Sequence, residues 1–382
     1  MGDRTPKVSI IMPSLNTADY IDEALRSAVR QTLEDIEIIC VDAGSDDGTY
    51  DIIQSYAQRD SRIKVYTSDV RSYGFQMNLG LEAATGEFIG IIEPDDYVAL
   101  DMFSDLYDIA CEHELDFVKA DFYRFTRDAI SGDMHLVYNH LSQDTEDYWT
   151  VFCPNERLKS YFYIMNTWSG IYRRSFIEKF NIRHNETPGA SYQDNGFFFQ
   201  TFAHATRAMI VDHPYYMNRR DNPNSSMSNP GKVDAVRVEY DFIRDKLKEE
   251  PELWEHLRTV HCTKRFDNYI ATAYRIDPAL KHNYVLWLSD AMNKLEESGE
   301  MTFADVPEDR QSFMRYVMND PEGWYFKAFV ESDAQRRIAE LEDQVARLEH
   351  SLSFRAGRVF TWLPRKVRDA VNNSRRPKDE EE

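Results

Sequence analysis

The chain has 382 residues, enough for about two to three domains. Its 45 Lys and Arg against 66 Asp and Glu leave a net charge of −21, while 42% of the residues are hydrophobic and 13% aromatic. This composition indicates a folded acidic protein, excludes a disulfide-stapled miniprotein and a disordered polyanion, and disfavours nucleic acid as a partner because phosphates are repelled.

Strands and helices alternate over the first hundred residues. β-Branched and apolar runs predict strands, and apolar residues at helical spacing predict helices between them. The predicted strands are 8–12, 36–41, 63–66 and 88–92, and the predicted helices are 21–29, 49–59 and 74–84. Because these strands are apolar on both faces, they predict an α/β fold with a mostly parallel sheet flanked by helices.

The rest of the chain has a different pattern. From about residue 231 to 330 it is helical and mixed, and we find no chemistry in it. Apolar residues then alternate spacings of three and four from Ile338 to Leu352, which predicts a short coiled-coil-like helix. This helix would either form a homodimer through 334–352 or dock on the body. The expected organisation is therefore 1–105, 106–230, 231–330, 331–352 and 353–382.

Polar loops follow three of the predicted strands. In parallel sheets, ligands bind beyond the carboxyl ends of the strands, where loops converge and helix amino termini point at the ligand. The candidate residues are Pro13, Ser14 and Asn16 after the first strand, Asp42 after the second, and Asp95 with Asp96 after the fourth. The glycine patterns of dinucleotide sites and phosphate loops are absent, so a Rossmann dehydrogenase and a P-loop ATPase are poorly supported.

Asp95 and Asp96 are adjacent carboxylates at the end of an apolar strand. Like charges this close raise each other's pKa unless a cation neutralises them. Mg²⁺ or Mn²⁺, held by one or two carboxylates and substrate phosphates, would do so. The alternative is an amino-terminal cap for a helix beginning near Leu100. Spacing alone leaves both interpretations open.

Five short motifs occur in a fixed order within the first hundred residues. They lie at 9–16, at 31–32 together with 38–47, at 78–80, at 85–89 and at 94–96. This series resembles the family 2 glycosyltransferases of GT-A fold. The resemblance implies a Rossmann-like GT-A sheet with a helical carboxyl-terminal extension, and a nucleoside-diphosphate sugar as donor.

The resemblance also implies roles for the loop residues. Pro13, Ser14 and Asn16 would lie against the nucleotide, and Asp42 would accept a hydrogen bond from the base, typically uracil. Asp95 would touch the ribose or the metal, and Asp96 would bind a Mn²⁺ or Mg²⁺ ion that bridges the diphosphate. Such an ion stabilises the departing diphosphate as a Lewis acid.

The sequence departs from the family pattern at four points of this region, one of them a third acid that the family has nearer to Asp95 than Glu93. The family usually has a second Asp at Ala43, an Arg at Met77 and a small residue at Pro94. Ala43 and Met77 therefore lack side chains that the family normally places near the nucleotide. Pro94 stiffens its loop.

Residues further along the chain resemble the acceptor half of the family. Gln193-Asp194 matches an acidic motif whose Asp would deprotonate the acceptor hydroxyl for inverting transfer, and the alternative is that Asp194 caps an apolar helix at 197–203. Arg219 or Arg220 would pair with the diphosphate, against a solvated surface turn as the alternative. Trp168 and His213 are favoured as structural residues over a sugar platform and a metal ligand.

Two functions are compatible with these residues. The first is a metal-dependent inverting hexosyltransferase that extends a glycan or lipid-linked acceptor in surface polysaccharide synthesis. The second is a binding or scaffold protein that kept the fold and lost the chemistry. Retention of Asp42, Asp95, Asp96 and Asp194 together favours the enzyme, since a scaffold does not need four carboxylates at loop tips.

The carboxyl-terminal tail differs in charge from the body. Residues 351–378 contain eight Lys and Arg and one Asp, a net of +7, so the remainder carries −28. Aromatic and basic residues interleave in 353–368, which resembles the tails of some bacterial surface-polysaccharide glycosyltransferases. We expect this tail to bind an anionic membrane surface, the alternative being a helix packed on the acidic body.

The sequence lacks signals for export or metal binding by cysteine. The amino terminus has no apolar signal-peptide core, and no run approaches about 18 apolar residues. The four cysteines have no paired spacing, which argues against a zinc site or a redox motif. We therefore expect a cytoplasmic protein, located peripherally on the inner face of the membrane through its tail.

Overall fold

The computed structural model describes residues 5–128, 130–224 and 233–335, and residues 337, 338, 340, 341 and 344. The strands within these residues are β1 (Val8–Ser14), β2 (Ile36–Asp42), β3 (Ile63–Thr67), β4 (Phe88–Ile91), β5 (Tyr97–Val98), β6 (Phe117–Arg127), β7 (Met134–Asn139), β8 (Gly170–Arg173) and β9 (Ala208–Arg219).

The helices alternate with the first strands and then follow one another. They are α1 (Ile21–Val29), α2 (Thr49–Ala57), α3 (Tyr73–Ala83), α4 (Met102–Glu112), α5 (Arg174–Lys179), α6 (Gln193–His204), α7 (Ala235–Lys248), α8 (Pro251–Arg275), α9 (Pro278–Glu297), α10 (Glu308–Asn319) and α11 (Pro321–Tyr325). The seven elements predicted for the first hundred residues are all confirmed, with ends that differ by one or two residues.

The sheet begins as a parallel sheet and becomes mixed. Its strand order is β3-β2-β1-β4-β8-β6-β9-β5, and β7 pairs with β6 outside this path. The β3-β2-β1-β4 part is parallel, whereas β8 runs antiparallel between β4 and β6. The predicted α/β fold with a mostly parallel sheet and a helical carboxyl-terminal region is confirmed.

β1 continues through Pro13, although the sequence pattern predicted that Pro13 would end it. The carbonyl of Ile11 accepts a hydrogen bond from the N–H of Ile92, so Ile11 faces β4. The backbone of Pro13, two residues further along β1, faces the same side as the backbone of Ile11. Because β4 ends at Ile91, no residue of β4 lies opposite Pro13. The missing N–H of Pro13 therefore leaves no ladder bond unmade.

The helices pack closely on this sheet because their contact residues are small or apolar. β1 and β2 are buried along their whole length, as are Ile21, Leu25 and Ala28 of α1. A Cβ atom on Gly80 of α3 would lie 2.5 Å from Cγ2 of Ile11. Glycine at this position lets α3 approach β1, which brings the amino end of α3 toward the edge where β1 and β2 end.

β9 pairs with two strands, β6 and β5. It runs parallel to β6, but the register jumps from Ala120 opposite Val211 to Phe122 opposite Tyr216. Beyond this bulge β9 also pairs with β5, with Tyr97 opposite Met217. The end of β9 is thereby placed against the loop between β4 and β5.

The chain divides into two compact units, residues 1–318 and 319–382. The first contains the sheet and α1 to α9, and most of α10. In the second, α11 continues into a π-helical segment, Phe326–Glu331, and Trp324 packs against Phe329 with ring centroids 5.6 Å apart. The tail 353–382 and most of the predicted coiled-coil segment, including Val345, lie outside the described residues.

No helix in the described part of the chain combines the length and the apolar character required to span a bilayer.

Candidate active site

The residues that follow β1 and β2 meet at one edge of the sheet. The two strands are parallel, and Ser14 lies opposite Asp42. Asn16, which has a positive φ of 53°, accepts a hydrogen bond on Oδ1 from the N–H of Asp46 at 3.0 Å. Its own N–H donates to Oγ of Ser45 at 2.9 Å. The predicted nucleotide residues Pro13, Ser14, Asn16 and Asp42 are therefore brought together.

Asp42 is buried, and its own loop uses its carboxylate. Oδ2 accepts from the N–H groups of Gly44 at 3.0 Å and Ser45 at 2.9 Å, and Oδ1 accepts from Oγ of Ser45 at 2.6 Å. These bonds shape the turn after β2. The hydroxyl of Ser14 also donates to Oδ1, at 3.3 Å. Because a carboxylate offers about four lone-pair positions, a base N–H would bind Asp42 by replacing one of these four bonds, of which the bond from Ser14 is the longest.

Arg71 is a cationic residue that contacts the turn after β2. Ala43 and Met77 are both fully buried among apolar residues. Arg71 is exposed, and its Nη2 donates to the carbonyl of Gly44 at 3.1 Å, at the turn after β2. Sequence reasoning did not single out Arg71, because a lone Arg in a loop gives no signal.

Asp95 and Asp96 are held by the end of β9. Oδ1 of Asp96 accepts from the N–H of Arg219 at 2.6 Å, and Oδ2 accepts from Nδ2 of Asn218 at 3.0 Å. Oδ2 of Asp95 accepts from Nδ2 of Asn222 at 2.8 Å. Asp96 is buried, whereas Asp95 is half-buried.

The capping alternative for this acidic pair is wrong. α4 begins at Met102, and its cap residue is Asp101, which makes no capping bond with its side chain. Asp95 and Asp96 instead precede the short strand β5. Their bonds to residues more than a hundred positions later in the chain are the reason that local spacing could not settle the question.

Glu93 completes a cluster of carboxylates after β4. Burial, together with the charges of Asp96, Asp95 and Asp194, raises the pKa of Glu93 to about 8. Burial and the charge of Asp95 raise the pKa of Asp96 to about 8. The hydroxyl of Tyr73 donates to Oε1 of Glu93 at 2.7 Å. The structure thus brings Asp194 into the electrostatic neighbourhood of the loop after β4.

Hard oxygen ligands of this kind suit Mg²⁺ or Mn²⁺. In the described residues, no group of three or more His, Cys, Asp or Glu forms a protein-only metal site. One or two carboxylates completed by substrate phosphates is the usual arrangement for Mg²⁺. The charge of Asp95 raises the pKa of the buried Asp96, and a bound cation would favour the ionised form of both, so the residues present fit such an ion.

The two candidate arginines differ in what they contact. Arg219 is buried, with its guanidinium bound to Glu23, Asp221 and the carbonyl of Asp95. Arg220 is exposed, and the charges of Asp96 and Asp95 act on it. Arg219 therefore ties α1, β9 and the acidic loop together, while Arg220 is the more accessible of the two arginines.

Asp194 lies in the first turn of α6, not before it. The helix begins at Gln193, and Oδ1 of Asp194 accepts from the N–H of Asn195 at 3.0 Å. The residue before the helix, Tyr192, has a left-handed backbone with φ 65°, which is strained for a side chain of this size. Asp194 is half-buried, and burial raises its pKa.

Gln193, which replaces the acid of the family motif, stabilises the loop before α6. Its Nε2 donates to Oγ1 of Thr187 at 2.9 Å and to the carbonyl of Gly189 at 3.1 Å. Its Oε1 accepts from the N–H of Ser191 at 2.5 Å. A carboxylate could not donate to these two oxygens, so the amide is needed for this loop.

Three buried residues that sequence reasoning missed surround Asp194. Nζ of Lys119, on β6, donates to the carbonyl and to Oδ1 of Asn166 at 2.6 and 2.7 Å. Burial lowers the pKa of Lys119 to about 7, although the negative charge of Asp194 acts to raise it. The carbonyl of Gln193 lies 3.2 Å from Nδ1 of His184, whose pKa is lowered to about 3 by burial.

The third missed residue is Glu239 of α7. Its Oε1 accepts from the N–H of Gly196 at 2.9 Å, and its Oε2 accepts from Nδ2 of Asn185 at 3.0 Å. A Cβ on Gly196 would lie 2.2 Å from this Oε1. A signal was available in the sequence, because Glu239 shares the apolar face of α7 with Val236 and Ile243.

Trp168 and His213 have structural contacts, as the sequence favoured. Trp168 stacks on Tyr216 with ring centroids 4.2 Å apart. His213 is exposed in the bulge of β9 and packs against Tyr215 at 4.3 Å.

Comparison with known proteins agrees with this fold. The family described as glycosyl transferase family 2 matches residues 9–193. EpsJ, an uncharacterized glycosyltransferase of Bacillus subtilis, is 34% identical over 231 residues, which cover 59% of this chain and 64% of EpsJ. A cholesterol galactosyltransferase of Borreliella burgdorferi is 31% identical over 230 residues, with 58% and 63% covered. The chain thus spans less than two thirds of either relative.

A solved structure shares the fold. Residues 1–349 of S. aureus TarS superpose with a TM-score of 0.61 and 19% identity, covering 84% of this chain and 92% of that one. TarS is also known in complexes with UDP and with UDP-GlcNAc. With the family match, these findings show that residues 9–193 form a glycosyl transferase family 2 domain, and the solved structure agrees with a GT-A fold.

Proposed function

We propose that this chain transfers a sugar from a nucleoside-diphosphate sugar to a hydroxyl of a glycan or lipid-linked acceptor. The observation that carries the proposal is the gathering of Glu93, Asp95, Asp96 and Asp194 from two distant parts of the chain. Burial, and after it the charges of the three Asp residues, raise the pKa of Glu93. Gathering four carboxylates costs free energy, which a bound cation and its substrate would offset.

In this proposal Asp194 is the general base. It accepts the proton of the acceptor hydroxyl while the hydroxyl oxygen forms a bond to the anomeric carbon of the donor. The bond from that carbon to the diphosphate breaks on the opposite face, and its electron pair leaves with the diphosphate. The sugar is inverted in one step. Burial raises the pKa of Asp194, which brings it closer to the working pH of a base.

Asp95 and Asp96 are the residues we propose to hold Mn²⁺ or Mg²⁺. A divalent ion would supply Lewis-acid stabilisation of the departing diphosphate. Asp95 is the more accessible carboxylate. Asp96 would contribute a lone pair that Arg219 and Asn218 leave unused. Arg220 would pair with a phosphate through its planar fork of donors.

For the nucleotide we propose the edge formed by Pro13, Ser14, Asn16 and Asp42, with Arg71 beside it. The complexes of TarS make UDP-sugars the first donors to test. Hexosyl transfer in surface polysaccharide synthesis is the setting we propose. A cytoplasmic enzyme of this kind would meet a lipid-linked acceptor at the inner face of the membrane.

The basic tail is proposed to provide that location. Residues 353–382 would bind anionic lipids at about 1 kcal/mol per basic residue near the surface. Deleting 353–382 is expected to release the protein from vesicles containing anionic lipid while transfer to a soluble acceptor is unchanged. Full-length protein that fails to sediment with such vesicles at low salt would contradict the tail's role.

The transfer activity is tested by release of nucleoside diphosphate from a panel of UDP- and GDP-sugars with Mn²⁺. We expect release from at least one donor, and loss of release in Asp194→Asn. Asp290→Asn is a matched control, because Asp290 is an exposed Asp whose partner is Lys294. Metal-dependent donor binding without any release or transfer would favour the binding-protein alternative.

A further inference from the structure

Three aromatic rings lie near one another at the surface beside β7 and β9. We call Tyr138, His140 and Trp149 the aromatic strip. The Tyr138 and His140 rings pack at 4.4 Å, and Tyr138 packs in turn against Tyr123 at 5.2 Å. Trp149 is 52% exposed, and the His140 side chain is 53% exposed. Large rings presented together at a surface are characteristic of binding sites.

Hydrogen bonds hold these rings in place. The indole N–H of Trp149 donates to Oδ1 of Asp212 at 2.7 Å, and the hydroxyl of Tyr138 donates to the carbonyl of Asp212 at 2.6 Å. Trp149 also has a left-handed backbone with φ 57°, a conformation that side chains of its size rarely adopt. The protein thus maintains a strained residue in order to present a fixed, exposed indole.

His140 is oriented by a buried carboxylate. Its Nδ1 lies 2.8 Å from Oδ2 of Asp121, whose other oxygen accepts from the hydroxyl of Tyr148 at 2.8 Å. Asp121 is fully buried. This arrangement fixes the imidazole plane and leaves Nε2 on the exposed side, available to a hydroxyl.

The charge around the strip selects among ligands. Residues 128–150 contain five Asp and Glu and no Lys or Arg. Two of the five, Asp144 and Asp147, form ion pairs with Lys159 and Arg157, which leaves an excess of negative charge. Asp212, which holds two of the rings, is also exposed. Such a surface repels phosphate-bearing polymers and anionic lipid. Uncharged sugar rings are not repelled by this surface. They can stack on the aromatic side chains, and their hydroxyl groups can donate hydrogen bonds to the carboxylates.

We infer that the aromatic strip binds the acceptor, and that the acceptor is a glycan of neutral or amino sugars whose pyranose rings stack on Trp149 and Tyr138. This inference rests on the proposed function. β6 connects the strip to the site, because Asp121 lies two residues after Lys119, the cation that acts on Asp194. A glycan on the strip would extend from the base along β6.

Titration calorimetry with four neutral hexasaccharides, chitohexaose, cellohexaose, maltohexaose and mannohexaose, tests the inference. We expect at least one to bind the full chain, and Trp149→Ala to weaken that binding by about tenfold or more, as expected for the loss of a stacked ring. Trp149→Phe should recover part of the affinity. His140→Ala provides a second variant if Trp149→Ala fails to fold. UDP binding with Mn²⁺ should be unchanged in all of them.

Tyr274→Ala is the matched control, because Tyr274 is an aromatic residue of α8 that is 55% exposed. Normal UDP binding together with no binding of any hexasaccharide, or with saccharide binding that Trp149→Ala leaves intact, would overturn the inference and spare the proposed function. Saccharide binding without UDP binding would instead contradict the donor site. Preferential binding of hexagalacturonate, or Trp149-dependent binding of phosphatidylcholine vesicles, would also overturn it.

Discussion

The donor edge and the start of α6 place their carboxylates in different ways. Asp42 is held mainly by residues within three positions of it, Gly44 and Ser45. Asp194 has only Asn195 as a local partner, and its electrostatic environment comes from Lys119 and Glu239, on elements far away in the chain. The donor edge is therefore built largely by local turns, whereas the base candidate depends on the assembled tertiary structure.

Asp95 and Asp96 lie between these two cases. They are adjacent in the sequence, but Asp96 is bound by the end of β9 and Asp95 remains the more accessible. Substitutions at two neighbouring Asp residues are thus expected to change the free energy of unfolding by different amounts. We therefore expect variants at the donor edge and variants in α6 to differ in how far a loss of activity is accompanied by a loss of stability.

The largest effect is expected at the acidic pair. Asp95→Ala and Asp96→Ala should each abolish transfer and metal-dependent nucleotide binding. Asp96→Ala should also lower the free energy of unfolding by about 1–3 kcal/mol, because it leaves the N–H of Arg219 and the amide of Asn218 unpaired. Turnover assays, Mn²⁺-dependent UDP binding and urea unfolding measure these quantities. Normal turnover of either variant at saturating donor would contradict its metal assignment.

The next effect is expected at the proposed base. Asp194→Asn should lower transfer by about 10²- to 10⁴-fold, the usual contribution of a positioned general base, while donor binding is retained. Steady-state kinetics and UDP calorimetry separate the two. A variant with weaker donor binding and normal turnover would remove Asp194 from the role of base.

A smaller effect is expected at Glu239, which we regard as a positioning residue. Glu239→Ala should lower kcat by about tenfold with unchanged donor affinity, because an error of about 1 Å in a catalytic group is costly. Glu239→Gln keeps the bond to Gly196 and should recover most of the rate. Glu249→Ala, at an exposed Glu of the same helix region, is the control. Equal rates for Glu239→Ala and the control would show that α7 does not position Asp194.

The smallest effect concerns the pH dependence of stability at His184. Its pKa in the folded state is about 3, below the value of about 6.5 in the unfolded state, so the unfolded state binds more protons between these values. The contribution of neutral His184 to the free energy of unfolding is fully present above about pH 6.5 and is lost as the pH falls from there toward about 3. His184→Gln should reduce this slope by up to about 1.4 kcal/mol per pH unit. Urea unfolding of both proteins measures it, and identical slopes would contradict a neutral buried His184.

Much of the donor half could be predicted from its sequence. Strands β1 to β4 and helices α1 to α3 follow from short apolar periods, and the loops after them from Pro13, Asp42 and Asp95. The roles of Lys119 and Glu239 could not be predicted, because a charged residue in an apolar segment does not reveal its partner. The sequence also could not distinguish Arg219 from Arg220, since only the tertiary structure shows which guanidinium is buried.

The sequence by itself determined the elements, the order of the motifs and the family, because these depend on periods and spacings within a few residues of one another. Only the tertiary structure decided that Asp96 bonds to β9, that Glu239 holds Gly196 and that Asp194 approaches Glu93. These contacts join residues from about 40 to more than 100 positions apart. Burial then sets their pKa values, since it is the exclusion of water by several elements together that makes each charge costly.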